Sequence, residues 1–481
     1  MTRSTSQPAT EQPLVQDPPT PSPGSLSTAS QDAGQDSLTW TPAWRLKELI
    51  DQREVSPVDV TKHFLERIEE HNEALGAVSF VDHAGAIAAA QQAERDVLRG
   101  ESLGLLHGVP VLIEEVVEVT GWPFYTYSTF RTDRSMEPLH LTGRRDEIVP
   151  ERLRAAGAIL LGQTKVGQDG VRNPWDLNRV PGQSSGGPGS AAGAGFAPLN
   201  VAADGAGSVR APAAFCGVVG MIATRGRIPV VDWENLAPWT HRQLGPMARD
   251  TRDAGLFLNA AAGPSGRDCY ALPDTPPDFT HLLGADPAGI RLGWTDDFGF
   301  SEAKAGQYDT PGLIGFTRAA VGSLEADGVA FTNLTETWAG HEEDFFSFMM
   351  SVAPTSPHPV ENAKFAASVE ERNRMWKTFE TSFATHDLIL SPTVRFIAPT
   401  REEWDHYTDH DQQAGAFIMD AECPHTRLAN WMGFPALTVP VGLINGMPVG
   451  VHIMGPPNSE PTILQVSQLL QAASTMNAAA G

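Results

Sequence analysis

Short apolar runs that follow helical segments are the feature of this sequence that most limits its fold. Such runs occupy residues 108–113, 158–161, 387–390 and 436–441. A strand that is buried on both faces has this pattern, and helices alternating with such strands are typical of α/β proteins. Between two further apolar runs, Asn445-Gly446 predicts a tight antiparallel hairpin. We therefore expect an α/β fold with a central mixed, twisted sheet flanked by helices.

The first 38 residues differ in composition from the rest of the chain. They are rich in Ser, Thr, Pro and Gln and contain no aromatic residue, so they cannot bury enough apolar surface to offset the entropy lost on ordering. Helix starts follow at Thr41-Pro42 and Ser56-Pro57, where a hydroxyl residue precedes a proline. We predict a disordered tail over residues 1–38 and one large domain over residues 39–481.

Charge and cysteine content exclude several classes of protein. The 34 Lys and Arg residues against 58 Asp and Glu residues give a net charge of −24. Nucleic acids and anionic membranes reward clustered positive charge, so neither is expected as a partner. Three scattered cysteines, no apolar signal sequence and no long apolar segment favour a cytoplasmic protein without a disulfide framework.

Two glycine- and serine-rich turns, at residues 181–190 and 204–212, carry the strongest chemical signal. Composition alone favours a flexible linker, but apolar segments flank both turns. A phosphate-binding P-loop is not supported, because the pattern GxxxxGK[ST] is absent and no lysine lies near. Glycine-rich backbone that presents N–H groups beside serine hydroxyls is suited to forming an oxyanion hole.

Residues 181–229 resemble the amidase signature family, in which a GGSSGG turn is followed by a GTDxGGSIRxPA turn and then by FCGxxGLKPTxGR. Further segments resemble family positions in the family's order: Leu106–Pro110, Asn173–Asp176, Leu244–Arg249, Gly433–Leu437 and Gly455–Pro457. The similarity extends from about residue 39 to residue 457. It implies an amide hydrolase built on a single large α/β domain.

The resemblance also implies a Ser, cis-Ser, Lys triad. Ser208 matches the nucleophile that attacks the amide carbonyl, and Ser184 matches the cis-serine that relays a proton to the lysine. Backbone N–H groups just before the nucleophile stabilise the oxyanion in this family, and the matching residues are Gly205, Ala206 and Gly207. The chemistry is reasonable in itself, since a hydroxyl is a weak nucleophile until a base takes its proton.

The chain departs from the family at the base. The strand that carries the family lysine ends here in Glu114-Glu115, and the second family lysine is replaced by Ile222. Lys165 lies two residues away from another family lysine and is not expected to substitute for either. A carboxylate has an ordinary pKa near 4.3, but burial could raise the pKa of Glu114. Either Glu114 acts as the acid and base, or the fold has lost amide hydrolysis.

Other side chains have weaker signals. Phe124, Tyr125 and Tyr127 occupy a turn where the family has small residues, and they either add packing or form an aromatic wall, in which case Tyr125 and Tyr127 contact the substrate. His406 and His410 have a spacing that suits a metal on a helix. Because no third ligand is evident, a solvated acidic loop is favoured, and no metal or other cofactor is expected.

The sequence thus predicts an amidase-like hydrolase that cleaves a carbon–nitrogen bond, other than a peptide bond, in a small amide through an acyl-enzyme on Ser208. The alternatives are a catalytically impaired binding or scaffold protein, an esterase or acyl-transfer variant, and a subunit of a tRNA-dependent amidotransferase. The expected partner is a small-molecule amide, and a homodimer is a possible assembly. The departure at Glu114 leaves these alternatives open.

Overall fold

The computed structural model describes residues 36–101, 104–127, 138–167, 169–230, 242–299, 309–338, 362–405, 424–474 and 476. Its helices are α1 Asp36–Trp40, α2 Ala43–Asp51, α3 Pro57–Leu75, α4 His83–Arg99, α5 Ile148–Ala155, α6 Gly186–Gly193, α7 Arg210–Cys216, α8 Thr251–Ala261, α9 Leu313–Gly322, α10 Asn362–Thr385, α11 Arg427–Met432 and α12 Glu460–Ala473. Its strands are β1 Val78–Val81, β2 Pro110–Glu114, β3 Pro123–Tyr127, β4 Pro138–Thr142, β5 Ile159–Thr164, β6 Leu199–Asp204, β7 Val219–Ile222, β8 Gln243–Ala248, β9 Arg291–Trp294, β10 Ala330–Asn333, β11 Leu388–Pro392, β12 Ala436–Ile444 and β13 Met447–Met454.

One large sheet organises these elements. Among the described residues, eleven strands form this sheet in the order β1-β5-β2-β6-β8-β7-β12-β13-β11-β9-β10. Strands β3 and β4 form a separate two-stranded sheet. Strand β2 runs parallel to both β5 and β6, whereas β8 runs antiparallel to β6 and β7. The predicted α/β fold with a single mixed sheet is confirmed, and all four apolar runs contribute strands to it.

The predicted hairpin joins β12 to β13. Ile444 pairs with Met447 across the turn, and the two residues between them, Asn445 and Gly446, have φ of 53° and 76°. Two consecutive positive φ angles match the right-handed twist of the flanking strands, which is why Asn-Gly is favoured in such turns.

Helices cover both faces of the sheet. On one face, Leu112 and Leu161 pack with side chains of α3, α4 and α6, including Phe64. On the opposite face, Val111 and Ile113 pack with side chains of α5, α8 and α12. Every residue of β2 is buried, which explains why its sequence lacks polar alternation. The serine-bearing turns lie on the face of Leu112, because α6 and α7 cover that face.

The first helices show one predicted cap and one unexpected one. Ser56 caps α3, since its hydroxyl accepts hydrogen bonds from the amides of Val58 and Asp59 at 3.0 and 3.3 Å. Helix α2 begins after Pro42, and its first amides donate to the Asp253 carboxylate of α8. The prediction that Thr41 caps this helix and that Pro42 is its first residue is therefore wrong, since Pro42 holds the cap position. The acceptor for the first amide comes instead from a residue 210 positions away, a contact that local sequence could not indicate.

The predicted tail lies almost wholly outside the described residues, which begin in α1. Within the described parts of the chain, no helix has the length and apolar character needed to cross a bilayer.

Candidate active site

The first serine-bearing turn leads into α6. The peptide bond between Gln183 and Ser184 is cis, Ser184 is half-buried and Ser185 is buried. The next turn of chain needs glycine, since a Cβ at Gly187 would lie 2.3 Å from the carbonyl oxygen of Lys165. This close approach fixes the turn against the carboxyl end of β5.

Glu114 reaches this turn from the carboxyl end of β2. Its Oε2 accepts hydrogen bonds from the amide of Ala203 at 2.6 Å and from the hydroxyl of Ser185 at 3.1 Å. Its Oε1 is buried and has no hydrogen-bond partner among the described residues. The serine that contacts Glu114 is thus Ser185 and not Ser184, a detail that sequence reasoning missed because both serines are adjacent in the motif.

Burial changes the acid–base strength of Glu114. The side chain is removed from water, which disfavours its charged form and raises its pKa to about 8, although the hydrogen bonds from Ala203 and Ser185 oppose the shift. Glu115 lies apart from this contact, since its carboxylate accepts a hydrogen bond from the amide of Val166 at 3.0 Å. The ammonium of Lys165 lies near Gly170, 3.8 Å from the position that a Cβ at Gly170 would take.

The second serine-bearing turn connects β6 to α7. Asp204, the last residue of β6, accepts hydrogen bonds from the amides of Gly207 at 2.7 Å and Val209 at 3.1 Å. These two amides flank Ser208, which is buried with 6% of its surface exposed. One carboxylate therefore fixes the backbone on both sides of the predicted nucleophile.

A fully buried ion pair anchors that carboxylate. Arg210 lies 3.0 Å from Asp204 and also donates to Asn430, to the carbonyl of Thr426 and to Nε2 of His452. Burial alone would raise the pKa of Asp204, but the charge and hydrogen bonds of Arg210 hold it below its ordinary value. Burial and the charge of Arg210 lower the pKa of His452, so a neutral imidazole accepts the hydrogen bond from the guanidinium.

The amides near Ser208 divide into two sets. The amide of Gly207, which the resemblance places among the oxyanion donors, instead donates to Asp204. The amides of Gly205, Ala206 and Ser208 itself have no acceptor in the described parts of the chain. Unpaired amides clustered at one turn can stabilise a developing oxyanion. The Ser208 amide was not anticipated, and its position directly after Gly207 is the signal that could have indicated it.

Several other predicted residues cannot be placed at this site. Tyr125 and Tyr127 belong to β3, but their side chains fall outside the described residues. His406 and His410 also lie outside them, so the loop prediction stays a prediction. Among the described residues, no three metal-binding side chains come together.

Removing Arg210 should destabilise the fold. We expect Arg210→Ala to lower the free energy of unfolding by about 3–5 kcal/mol, because it leaves the buried Asp204 carboxylate without its counterion. Urea unfolding measures the change. The control is Arg291→Ala, since Arg291 pairs with Asp387 at 2.7 Å on the surface with both side chains exposed, and such pairs contribute little to stability because water screens them. Equal effects of the two substitutions would contradict the anchoring role.

Known proteins resemble this chain over most of its length. The family model described as Amidase matches residues 59–331 and 342–464. One subunit of the glutamyl-tRNA(Gln) amidotransferase from Desulforudis audaxviator (strain MP104C) is 28% identical, over 89% of this chain and 95% of the relative. An acylamidase from Rhodococcus erythropolis is 27% identical, over 91% of this chain and 96% of the relative.

Solved structures agree in fold. The crystal structure of a bacterial aryl acylamidase of the amidase signature family superposes with a TM-score of 0.76 and 22% identity, covering 92% of this chain and 98% of that one. The structure of a 6-aminohexanoate cyclic dimer hydrolase complexed with substrate gives a TM-score of 0.75 and 25% identity, covering 91% and 98%.

Proposed function

The chain belongs to the amidase family and is an amidase-type hydrolase acting on carbon–nitrogen bonds, and from this premise we propose that Ser208 is the nucleophile in acyl transfer from a small amide. The observation that carries the proposal is the Asp204 carboxylate, which holds the amides on both sides of Ser208. Precise placement of a nucleophile lowers the activation free energy of a reaction by several kcal/mol.

The reaction proceeds in two halves. The Ser208 hydroxyl attacks the amide carbonyl while its proton passes through Ser184 and the neighbouring Ser185 to Glu114. The amides of Gly205, Ala206 and Ser208 stabilise the oxyanion of the tetrahedral intermediate. When the carbon–nitrogen bond breaks, Glu114 returns the proton to the leaving amine. Water then attacks the acyl-enzyme and releases the carboxylic acid by the same proton route.

Glu114 has a pKa that suits this role. A general acid and base is most effective when its pKa lies near the operating pH, and enzymes reach this by raising a glutamate or lowering a lysine. With its pKa raised to about 8, Glu114 matches the acid–base strength of a buried lysine. The two differ in charge, since the pair here is carboxylic acid and carboxylate rather than ammonium and amine.

The relatives support a small amide as substrate without identifying it. The acylamidase and the amidotransferase chain align with most of this protein at 27% and 28% identity, and both names describe chemistry at an amide or a transferable amino group. Because the family lysine is absent, one competing hypothesis remains, in which the chain keeps the fold and binds a ligand without hydrolysing it.

Covalent trapping of Ser208 tests the proposal against its rival. We expect a fluorophosphonate probe to add one phosphonyl group to the native chain, with the modified residue located at Ser208 by peptide mass spectrometry. An activated serine reacts with this probe, whereas an ordinary hydroxyl does not. Labelling of the native chain no faster than that of the urea-unfolded chain would favour the binding-protein hypothesis.

A further inference from the structure

Arg242 lies directly before β8, at the edge of the sheet where β2 and β6 end. Gln243, the first residue of β8, pairs with Asp204, the last residue of β6, and β6 lies between β8 and β2. Nη2 of Arg242 donates a 3.0 Å hydrogen bond to the carbonyl oxygen of Val116, just after β2. Because neighbouring strands are about 4.8 Å apart, the side chain crosses the end of β6 to reach the segment that carries Glu114.

The chain turns directly after Glu114, and an ion pair holds this turn. The carbonyl of Glu114 accepts a hydrogen bond from the amide of Val117 at 2.9 Å. One carboxylate oxygen of Glu147 accepts from the amide of Glu118 at 3.0 Å, and the other lies 3.7 Å from Nη1 of Arg242. Both side chains of the pair are largely buried, with 18% of Arg242 and 3% of Glu147 exposed. The pair and its two backbone contacts therefore fix the turn that follows Glu114.

Arg242 also acts on Glu114 through its charge. Burial has the largest effect on the pKa of Glu114 and raises it, while hydrogen bonds from Ala203 and Ser185 oppose the shift. Among charged side chains, Arg242 lowers this pKa and Glu115 raises it. A nearby cation favours the carboxylate over the neutral acid, so Arg242 opposes the effect of burial.

The elements packed against β2 bring no other cation to this carboxyl group in the described part of the chain. Helix α6 contains no titratable residue, and the buried residues of α3 include none. On the side of β5, the ammonium of Lys165 lies near Gly170. On the side of β6, Asp204 is paired with Arg210. The positive charge that acts on the carboxyl group is therefore that of Arg242.

We propose that Arg242 is a positioning residue for Glu114, which fixes the turn behind the glutamate and supplies the positive charge that stabilises its carboxylate form. This inference rests on the proposed function, in which Glu114 alternates between carboxylate and carboxylic acid. A group that stays in one of the two forms cannot both take and return a proton. Glu147 partly neutralises the guanidinium, so Arg242 and Glu147 act in opposite directions on this balance.

Infrared titration of the Glu114 carboxyl group tests the inference without requiring turnover. Each full-length chain is compared with the same chain carrying Glu114→Gln, so the difference spectrum isolates the band of the protonated carboxyl group. We expect the native midpoint near pH 8. Arg242→Gln can still donate to the Val116 carbonyl but lacks the charge, and its midpoint should be higher by about half a pH unit or more. Arg242→Lys keeps the charge, so its midpoint should remain close to the native one.

The partner carboxylate should give a shift of the opposite sign. Glu147→Gln removes a negative charge but keeps an oxygen that can accept from the Glu118 amide. The guanidinium is then no longer neutralised, so the midpoint should fall below the native value. The control is Arg291→Gln, which removes an arginine charge from β9, seven strands away from β2 in the sheet, and should leave the midpoint unchanged. A purely structural role for the pair would lower stability in both variants without opposite shifts.

Unchanged midpoints in Arg242→Gln and Glu147→Gln, or shifts of the same sign, would overturn the inference. If Arg242→Gln does not fold, Glu147→Gln decides alone, since a lower midpoint supports the inference and any other result overturns it. Fluorophosphonate labelling of Ser208 separates this inference from the proposed function. Normal labelling with unmoved midpoints rejects the role of Arg242 alone. Opposite shifts without labelling reject acyl transfer and retain the control of Glu114 by Arg242.

Discussion

Replacing Ser208 by alanine should reduce amide hydrolysis by roughly 10⁴- to 10⁶-fold, the loss typical of removing a serine nucleophile. The remaining rate over water would come from the oxyanion donors and from substrate binding, which the substitution leaves in place. The measurement is kcat/KM on an anilide that the native chain hydrolyses. The methyl group of alanine is smaller than the hydroxymethyl group, so the turn held by Asp204 should keep its conformation.

A second buried serine provides the control. Ser467 lies in α12, where its hydroxyl forms a 2.8 Å hydrogen bond with that of Thr251. Ser467→Ala should leave kcat/KM within about twofold, because a neutral hydrogen bond contributes about 1 kcal/mol to stability and none of that energy to this reaction. A loss below tenfold for Ser208→Ala would mean that another group attacks the substrate.

Glu114→Gln should lower kcat/KM by about 10²- to 10⁴-fold, the usual contribution of a general acid and base. In the native chain, the basic carboxylate forms only as the pH rises through the pKa of Glu114, which is about 8. The rate should therefore increase with pH and reach half of its plateau near pH 8. Glutamine cannot take a proton, so the rate of the variant should no longer rise with pH around pH 8.

The neighbouring carboxylate is the matched control. Glu115→Gln removes an equal charge one residue away, where the side chain bonds the amide of Val166, and it should leave the midpoint near pH 8. A Glu114→Gln variant that kept both its rate and its midpoint would show that the proton goes elsewhere.

Stability gives an independent check on Glu114. A carboxyl group whose folded pKa is raised binds its proton more tightly in the folded chain, so it contributes stability below its unfolded pKa and loses that contribution as pH rises towards 8. The unfolding temperature of the native chain should therefore fall relative to that of Glu114→Gln between pH 5 and pH 8. A constant difference across that range would contradict the raised pKa.

Local pattern was enough to predict the elements that local physics determines. The buried strand that ends at Glu114 was evident from its apolar run, and the β12–β13 hairpin from Asn445-Gly446. Both features depend on a few adjacent residues, whose backbone preferences and burial decide the structure.

Contacts between distant segments could not be predicted in the same way. The cap of α2 comes from Asp253, 210 residues from the first amide that it accepts from, and Arg210 donates to Asn430, 220 residues further along the chain. Spacing does not encode such convergence, because it follows from the order of strands in the sheet. The contact between Ser185 and Glu114 was not predicted because the two serines of the turn are adjacent. A shift of one residue in the turn changes which of the two hydroxyls faces Glu114.

The hydrogen bond from the Ala203 amide makes position 114 a site for a hydrogen-bond acceptor. A carboxylate oxygen of Glu114 accepts this hydrogen bond from a backbone donor of β6. An ammonium group has three donors and no acceptor, so a lysine at position 114 would face the Ala203 amide with a second donor. A basic side chain at this position would therefore need a second change that supplies an acceptor for that amide.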